Sequence, residues 1–150
     1  MNESSRQDRI VVGLDQTPSS RAALQFALRE GVVRGATVHV VTAWLFGASS
    51  FEVVDGAQAE EAALEVHLAQ DEAIVRALDE LQERPDVTRL VVRDVGGQTL
   101  IDEARNAVML VIGRGSKNPL GRAFLGSVGE FCVRHATVPV VVVPAPSRVG

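Results

Sequence analysis

The chain has 150 residues, a formal net charge of −4, and 46% hydrophobic against 23% charged side chains. This size fits one domain, the composition excludes a disordered chain, and no apolar run approaches the roughly 20 residues that cross a bilayer. The polar segment 1–9 lacks the features of a secretory signal, and the lone Cys132 excludes an internal disulfide. We therefore expect a soluble, cytoplasmic protein that contacts no membrane.

The chain contains neither an internal repeat nor a linker. We predict a single domain over residues 9–145, preceded by a disordered N-terminus at 1–8 and followed by a loose tail at 146–150. The three histidines are far apart in the sequence, so no metal cluster is expected.

Charge is unevenly distributed along the chain. Residues 1–103 carry 9 basic and 18 acidic side chains, whereas residues 104–150 carry 6 basic and 1 acidic. The negative total argues against general nucleic-acid binding. The positive C-terminal part, with Arg105, Arg114, Lys117 and Arg122 in an acid-free stretch, is where we expect an anion to bind.

Short β-branched apolar runs alternate with longer stretches rich in Ala and Leu at helical spacing. Continuous apolar runs are typical of strands buried on both faces, so we predict a parallel sheet between two layers of helices. The predicted strands are residues 10–14, 38–43, 90–92, 108–112 and 138–143.

The predicted helices fill the intervals between these strands. The first begins after Thr17, which can cap it, has Pro18 in its first turn, and ends near Gly35. The second runs from Gly56 to about Glu83. Its predicted apolar face consists of Leu64, Leu68, Val75 and Leu78.

Two shorter helices complete the pattern. The last is predicted to begin at Ser127, which has the capping-box spacing to Glu130 and precedes Cys132, a small core residue. The third is predicted to bury the stripe formed by Leu100, Ile101, Ala104 and Ala107.

The region between the fourth strand and the last helix contains four glycines, Gly113, Gly115, Gly121 and Gly126. Unpaired amides at a helix N-terminus bind phosphate, and glycine lets the backbone approach a ligand closely. The alternative is that these glycines only shape a long loop. Known phosphate motifs do not match: Ser127 stands where a Walker loop needs lysine, and Asn118 where a G-x-G-x-x-G needs glycine.

The same region resembles the G-x2-G-x9-G-[ST] signature of ATP-binding universal stress proteins. Gly113 and Gly126-Ser127 occupy its first and last positions, while Ser116 replaces its second glycine, with Gly115 one position early. The opening Ile10-Val11-Val12-Gly13-Leu14-Asp15, followed by Ser19 and Ser20, is similar to the family's V-G-x-D-x-S start. The resemblance covers about residues 8–145. Gly129 departs from it, because many relatives have a second hydroxyl there.

The resemblance implies a Rossmann-like α/β fold: one open, doubly wound, five-stranded parallel sheet in the order 3-2-1-4-5, with helices on both faces. It implies ATP, with or without Mg, as the bound nucleotide, and a homodimer formed through the strand at 138–144. We name no catalytic residue and no protein-bound metal, because Asp15 is the only acid expected near the phosphates and the histidines are far apart. Carried over residue by residue, the nucleotide contacts are Gly13, Leu14, Asp15, Ala43, Ile112, Gly113, Gly115, Ser116, Gly126, Ser127, Val128 and Gly129.

Three functions remain open from the sequence. The first is a stress-response protein that binds ATP, hydrolyses it slowly if at all, and acts by nucleotide-dependent association. The second is a dimeric stress protein that has lost ATP binding through Ser116 and Gly129 and acts as an interaction module. The third is an adenine-nucleotide-hydrolase-like enzyme, which is disfavoured because the first strand ends without the S-G-G-x-D-S loop of such enzymes.

Overall fold

The computed structural model describes residues 8–44, 56–115 and 125–146. Within these ranges, strands and helices alternate along the chain. They are β1 (Arg9–Gly13), α1 (Pro18–Arg34), β2 (Thr37–Trp44), α2 (Gly56–Asp79), β3 (Val87–Arg93), α3 (Gly96–Glu103), β4 (Met109–Gly113), α4 (Ser127–His135) and β5 (Val140–Val143).

The strands form one parallel sheet in the order β3-β2-β1-β4-β5. This confirms the predicted fold class and strand order. The predicted N-terminus at 1–8 and tail at 146–150 lie almost entirely outside the described residues and stay predictions. None of the described helices combines the length and apolar character needed to cross a bilayer.

Both faces of the sheet are buried in apolar clusters. Ile10 and Val12 of β1 belong to a cluster with residues of α1 and α2, whereas Val11 between them belongs to a cluster with residues of α3 and α4. Successive side chains of a strand point to opposite faces. The apolar runs therefore lack alternation because each face meets its own helical layer.

Helix α1 has the predicted boundaries. Thr17 is its N-cap and its side chain accepts a hydrogen bond from the Ser20 amide at 3.2 Å, with Pro18 in the first turn. Gly35 ends the helix in the left-handed conformation at φ 63°, which glycine adopts without the penalty of a side chain.

Two predictions for helix α2, its end and its buried face, are wrong. It ends at Asp79 rather than near Glu83. Leu64, Leu68 and Val75, predicted to face the core, are 58%, 57% and 56% exposed.

The residues of α2 that the core does bury are Gln70, Ile74 and Ala77. Small residues such as Ala77 let the helix come close to the strands, and Gln70 donates hydrogen bonds to strand atoms. Leu78, the fourth residue of the predicted face, is partly buried against the core, so the prediction was wrong at three of its four positions.

Helix α4 begins at Ser127 as predicted, but the predicted capping box is wrong. Gly126 is the N-cap, Ser127 is already helical, and no side chain caps the helix. Helix α3 ends at Glu103, with Ala104 at its C-cap and Ala107 beyond it, so the predicted stripe extends past the helix. Cys132 is fully buried as predicted, and burial raises the pKa of its thiol to about 11.

Candidate functional site

A cavity of about 250 Å³ lies at the carboxyl ends of the central strands β1 and β4. The chain leaves these two strands toward opposite sides of the sheet, and ligands of open α/β sheets collect at such a point. The described residues that sequence analysis assigned to the nucleotide all line this cavity: Gly13, Leu14, Asp15, Ala43, Ile112, Gly113, Gly115, Gly126, Ser127, Val128 and Gly129. Ser116 lies outside the described residues.

The floor of the cavity requires glycine at position 113. A Cβ atom there would lie 2.6 Å from the backbone carbon of Ser19 and from the Ser20 nitrogen. The end of β4 therefore contacts the first turn of α1 directly. This contact brings the fourth strand and the β1–α1 connection to one side of the cavity.

Gly115 turns the chain out of β4. Its φ of 99° is a conformation that favours glycine, and its amide donates to Ser19 Oγ at 3.1 Å. After residues 116–124, the Gly126 amide donates back to the Arg114 carbonyl at 3.0 Å. These bonds bring the two ends of the glycine-rich region together beside α4.

The first turn of α4 lines the cavity. Ser127, Val128 and Gly129 occupy the first three helical positions, whose N–H groups no carbonyl within the helix can reach. No side-chain cap serves them within the described part of the chain. The Gly126 amide is already bonded to Arg114, so the group available to an anion consists of three amides at the positive end of the helix dipole.

Asp15 borders the cavity and also shapes the loop that carries it. Its Oδ1 accepts hydrogen bonds from the Thr17 amide at 2.7 Å and the Thr17 hydroxyl at 2.6 Å. Ser20 Oγ closes the same loop by bonding the Asp15 amide at 3.1 Å and carbonyl at 2.9 Å. Asp15 therefore has the turn-capping role that its position after a strand indicates, and one carboxylate oxygen stays outside these bonds.

The other end of the cavity is narrow and apolar. Ala43 is the next-to-last residue of β2, Gly96 begins α3, and Val128 lies in the first turn of α4. A Cβ atom on Gly96 would lie 3.5 Å from Val128 Cγ2 and 4.0 Å from Ala43 Cβ. We call the apolar end of the cavity that these three residues border the slot.

A family model of universal stress proteins matches residues 7–144. The chain belongs to the universal stress protein family. A universal stress protein of Mycolicibacterium smegmatis is 31% identical over 150 residues, covering 95% of this chain and 50% of the relative. A universal stress protein of Mycobacterium tuberculosis is 34% identical over 139 residues, covering 89% of this chain and 44% of the relative. The chain thus spans about half the length of the curated relatives it matches.

Solved universal stress proteins share the fold at lower identity. UspA of Lactobacillus plantarum superposes with a TM-score of 0.76 at 21% identity, covering 93% of this chain and 99% of its own. A universal stress protein solved with cAMP superposes with a TM-score of 0.69 at 23% identity, covering 93% of this chain and 98% of its own. A universal stress protein from Archaeoglobus fulgidus solved with dAMP superposes with a TM-score of 0.62 at 21% identity, covering 91% of this chain and 97% of its own.

Packing around Gly129 accounts for one departure of this universal stress protein from the family signature. A Cβ atom at this position would lie 2.5 Å from Leu125 Cδ1 and 3.5 Å from Ile112 Cδ1. A serine or threonine would fit only if Leu125 moved. Leu125 therefore occupies the space that the Cβ atom of any side chain at position 129 would need.

Six further residues line the cavity without having been assigned to it: Thr17, Ser20, Val41, Gly96, Leu100 and Arg114. Thr17 was identified only as a helix cap and Ser20 only as part of the family's opening. Arg114 had been noted for its charge, together with Lys117 and Arg122, which lie outside the described residues. Gly96 is remote in sequence from the other glycines, so only the folded arrangement of α3 and α4 brings it to the site.

The charged groups at the cavity are few. Arg114 and Asp15 are the charged residues among its described lining. No group of three or more metal-ligating side chains occurs within residues 8–44, 56–115 and 125–146. The available interactions are therefore amide N–H groups, one guanidinium, one carboxylate and an apolar slot.

Proposed function

We propose that this universal stress protein binds an adenine nucleotide in the cavity between β1, β4 and α4. The observation that supports this most is the uncapped first turn of α4, whose three residues line the same cavity as the slot beside Ala43. Phosphate bonds to the amides of Ser127, Val128 and Gly129, and the base enters the slot. The neighbours solved with cAMP and dAMP support the choice of adenine.

We further propose ATP as the physiological nucleotide, with or without Mg. Arg114 lines the cavity, and Lys117 and Arg122 follow it in the sequence, so several cations are available to a chain of phosphates. Asp15 is the acid at the described lining, and its Oδ1 is already bonded to Thr17. Asp15 is thus held as a turn-capping residue, and the proposed role is binding, with hydrolysis slow if it occurs.

The proposed consequence of binding is nucleotide-dependent association in a stress response. Strand β5 pairs with β4 on one side and is the last strand in the sheet order, and Val142 is 36% exposed. An apolar edge strand is a surface on which two copies can pair. We propose a homodimer through residues 138–144, in the cytoplasm and without a nucleic-acid partner.

A second function is favoured by two features of the site. The cavity volume of about 250 Å³ is below the roughly 300–1,000 Å³ of typical ligand pockets. Leu125 also occupies the space that the Cβ atom of any side chain at position 129 would need. A dimeric interaction module without bound nucleotide is therefore the alternative.

One experiment separates the two functions. Freshly purified full-length protein is denatured, the supernatant is chromatographed, and a second sample is titrated calorimetrically with ATP, AMP and cAMP, each with and without Mg. Adenine nucleotide released near one equivalent, or saturable binding at one site per chain, supports the proposal. A protein that releases none and gives no heat with any of them is the interaction module.

A further inference from the structure

Helix α2 places a buried amide side chain against the sheet. Gln70 is 3% exposed. Its Nε2 lies within hydrogen-bond distance of three acceptors, the Leu90 carbonyl at 3.0 Å, Thr42 Oγ1 at 3.0 Å and the Val40 carbonyl at 3.3 Å, among which its two protons are shared. One amide group thus joins α2 to both β2 and β3.

The bond to Thr42 continues toward the nucleotide cavity. Thr42 is 8% exposed, and its hydroxyl donates to the Leu14 carbonyl at 2.9 Å. Leu14 lines the cavity and directly precedes Asp15. Two consecutive hydrogen bonds therefore run from α2 to the loop that borders the candidate site.

The chemistry of the partners fixes the direction of both bonds. Carbonyl oxygens only accept, so the atom of Gln70 that faces Leu90 and Val40 must be the NH₂ group. The nitrogen of this NH₂ group does not accept hydrogen bonds. The Thr42 hydroxyl oxygen therefore accepts from Gln70, and the hydroxyl proton is donated to the Leu14 carbonyl. The side chain on α2 therefore orients the hydroxyl that holds the loop.

We propose that Gln70 and Thr42 are positioning residues for the nucleotide site, acting by holding the Leu14 carbonyl and with it the β1–α1 loop. Neither residue contacts the ligand. The proposal rests on the proposed function for its effect on affinity, but not for its effect on the loop. A shift of α2 on the sheet is transmitted through these two bonds to Asp15.

The test uses the full chain and replaces each polar group by an apolar one of similar size. Gln70→Met removes the donor, Thr42→Val removes the hydroxyl, and Thr42→Ser retains it. Ile74→Ala is the matched control, because Ile74 lies one turn further along α2, is 7% exposed and packs in the core without joining the two bonds. Amide hydrogen exchange of the nucleotide-free protein and ATP titration are measured on all variants.

Hydrogen exchange measures how firmly the β1–α1 loop is held, without any nucleotide. The probes are the Leu14, Asp15 and Thr17 amides, which bond to the Val41 carbonyl, Ser20 Oγ and Asp15 Oδ1. We expect exchange about ten-fold faster in Gln70→Met and Thr42→Val, relative to core amides of β4 in the same sample. In Thr42→Ser and Ile74→Ala this ratio stays at the wild-type value.

The ATP affinity of each variant measures the effect of these substitutions on the nucleotide site. We expect about ten-fold weaker binding in Thr42→Val, a smaller loss in Gln70→Met, and no further loss when the two are combined, because both act through one carbonyl. Thr42→Ser restores affinity. Equal losses in Ile74→Ala, additive losses in the double variant, or a loop that exchanges at the wild-type ratio would each overturn the proposal.

Failure of the proposed function gives a different pattern. If the wild-type protein binds no nucleotide while loop exchange accelerates in Gln70→Met and Thr42→Val, the two residues position the loop and nucleotide binding is rejected. If ATP binds but its affinity is unchanged in a variant with a loosened loop, the positioning proposal is rejected and the binding proposal stands.

Discussion

The substitution Ser127→Glu should affect phosphate binding and helix stability in opposite ways. Ser127 is exposed in the first turn of α4 and lines the cavity. A carboxylate there interacts favourably with the helix dipole, by about 0.3–1 kcal/mol. The same carboxylate repels a phosphate bound to the neighbouring amides. Protein stability and nucleotide affinity should therefore change in opposite directions.

The size of the repulsion follows from the charge separation. Two unit charges about 5–6 Å apart interact by about 0.7 kcal/mol in water and about 3 kcal/mol at the effective dielectric constant of a protein surface site. We expect Ser127→Glu to raise the Kd for ATP about ten-fold or more, with unchanged or higher resistance to urea. Calorimetric titration and urea unfolding measure the two quantities.

Two variants control for effects other than charge at the site. Ser127→Gln has the size of the glutamate without its charge and should bind ATP far better than Ser127→Glu. Val133→Glu places the charge on an exposed position of the same helix, 52% exposed and six residues further along, where screening by water leaves binding nearly unchanged. Equal affinity of Ser127→Glu and Ser127→Gln would refute phosphate binding at the first turn of α4.

The remaining predictions concern packing, the slot and the reactivity of Cys132. Gly113→Ala should lower the free energy of urea unfolding by about 2–3 kcal/mol, because its Cβ meets backbone atoms at 2.6 Å, whereas the control Gly126→Ala, with its nearest atoms at 3.9 Å, should change it far less. Leu68→Ser should change the free energy of unfolding by less than about 0.5 kcal/mol, since the side chain is 57% exposed, and a larger loss would contradict the observed orientation of α2. Gly96→Val should weaken ATP binding by narrowing the slot beside Ala43 while leaving the urea midpoint close to wild type; undiminished binding would place the base elsewhere. Alkylation of Cys132 at pH 8 should be slow in the native protein and rapid in denaturant, because burial raises the pKa of the thiol to about 11 and so disfavours the reactive thiolate.

The features that could be predicted from the sequence are those set by local chemistry or by the family signature. Thr17, Pro18 and Gly35 bound α1 because capping and backbone preferences act within a few residues. Continuous apolar runs located the strands because both faces of the sheet are covered. The strand order followed from the resemblance, since spacing alone does not specify which strands are neighbours.

The features that were missed depend on contacts between distant segments. The buried face of α2 was misjudged because Gln70 finds partners on β2 and β3 that are invisible in a helical pattern. Ser127 was expected to cap α4, but the Gly126 amide bonds the Arg114 carbonyl and the helix begins without a side-chain cap. Gly96 joins the site only through the packing of α3 beside α4.

The central claim is that a nucleotide phosphate bonds to the first-turn amides of α4. A crystal structure of the protein grown with ATP tests it most directly. We predict phosphate oxygens about 2.7–3.2 Å from the backbone nitrogens of Ser127 and Val128, with adenine in contact with Ala43. ATP bound elsewhere, or side chains filling the space in front of these amides at saturating ATP, would contradict the account.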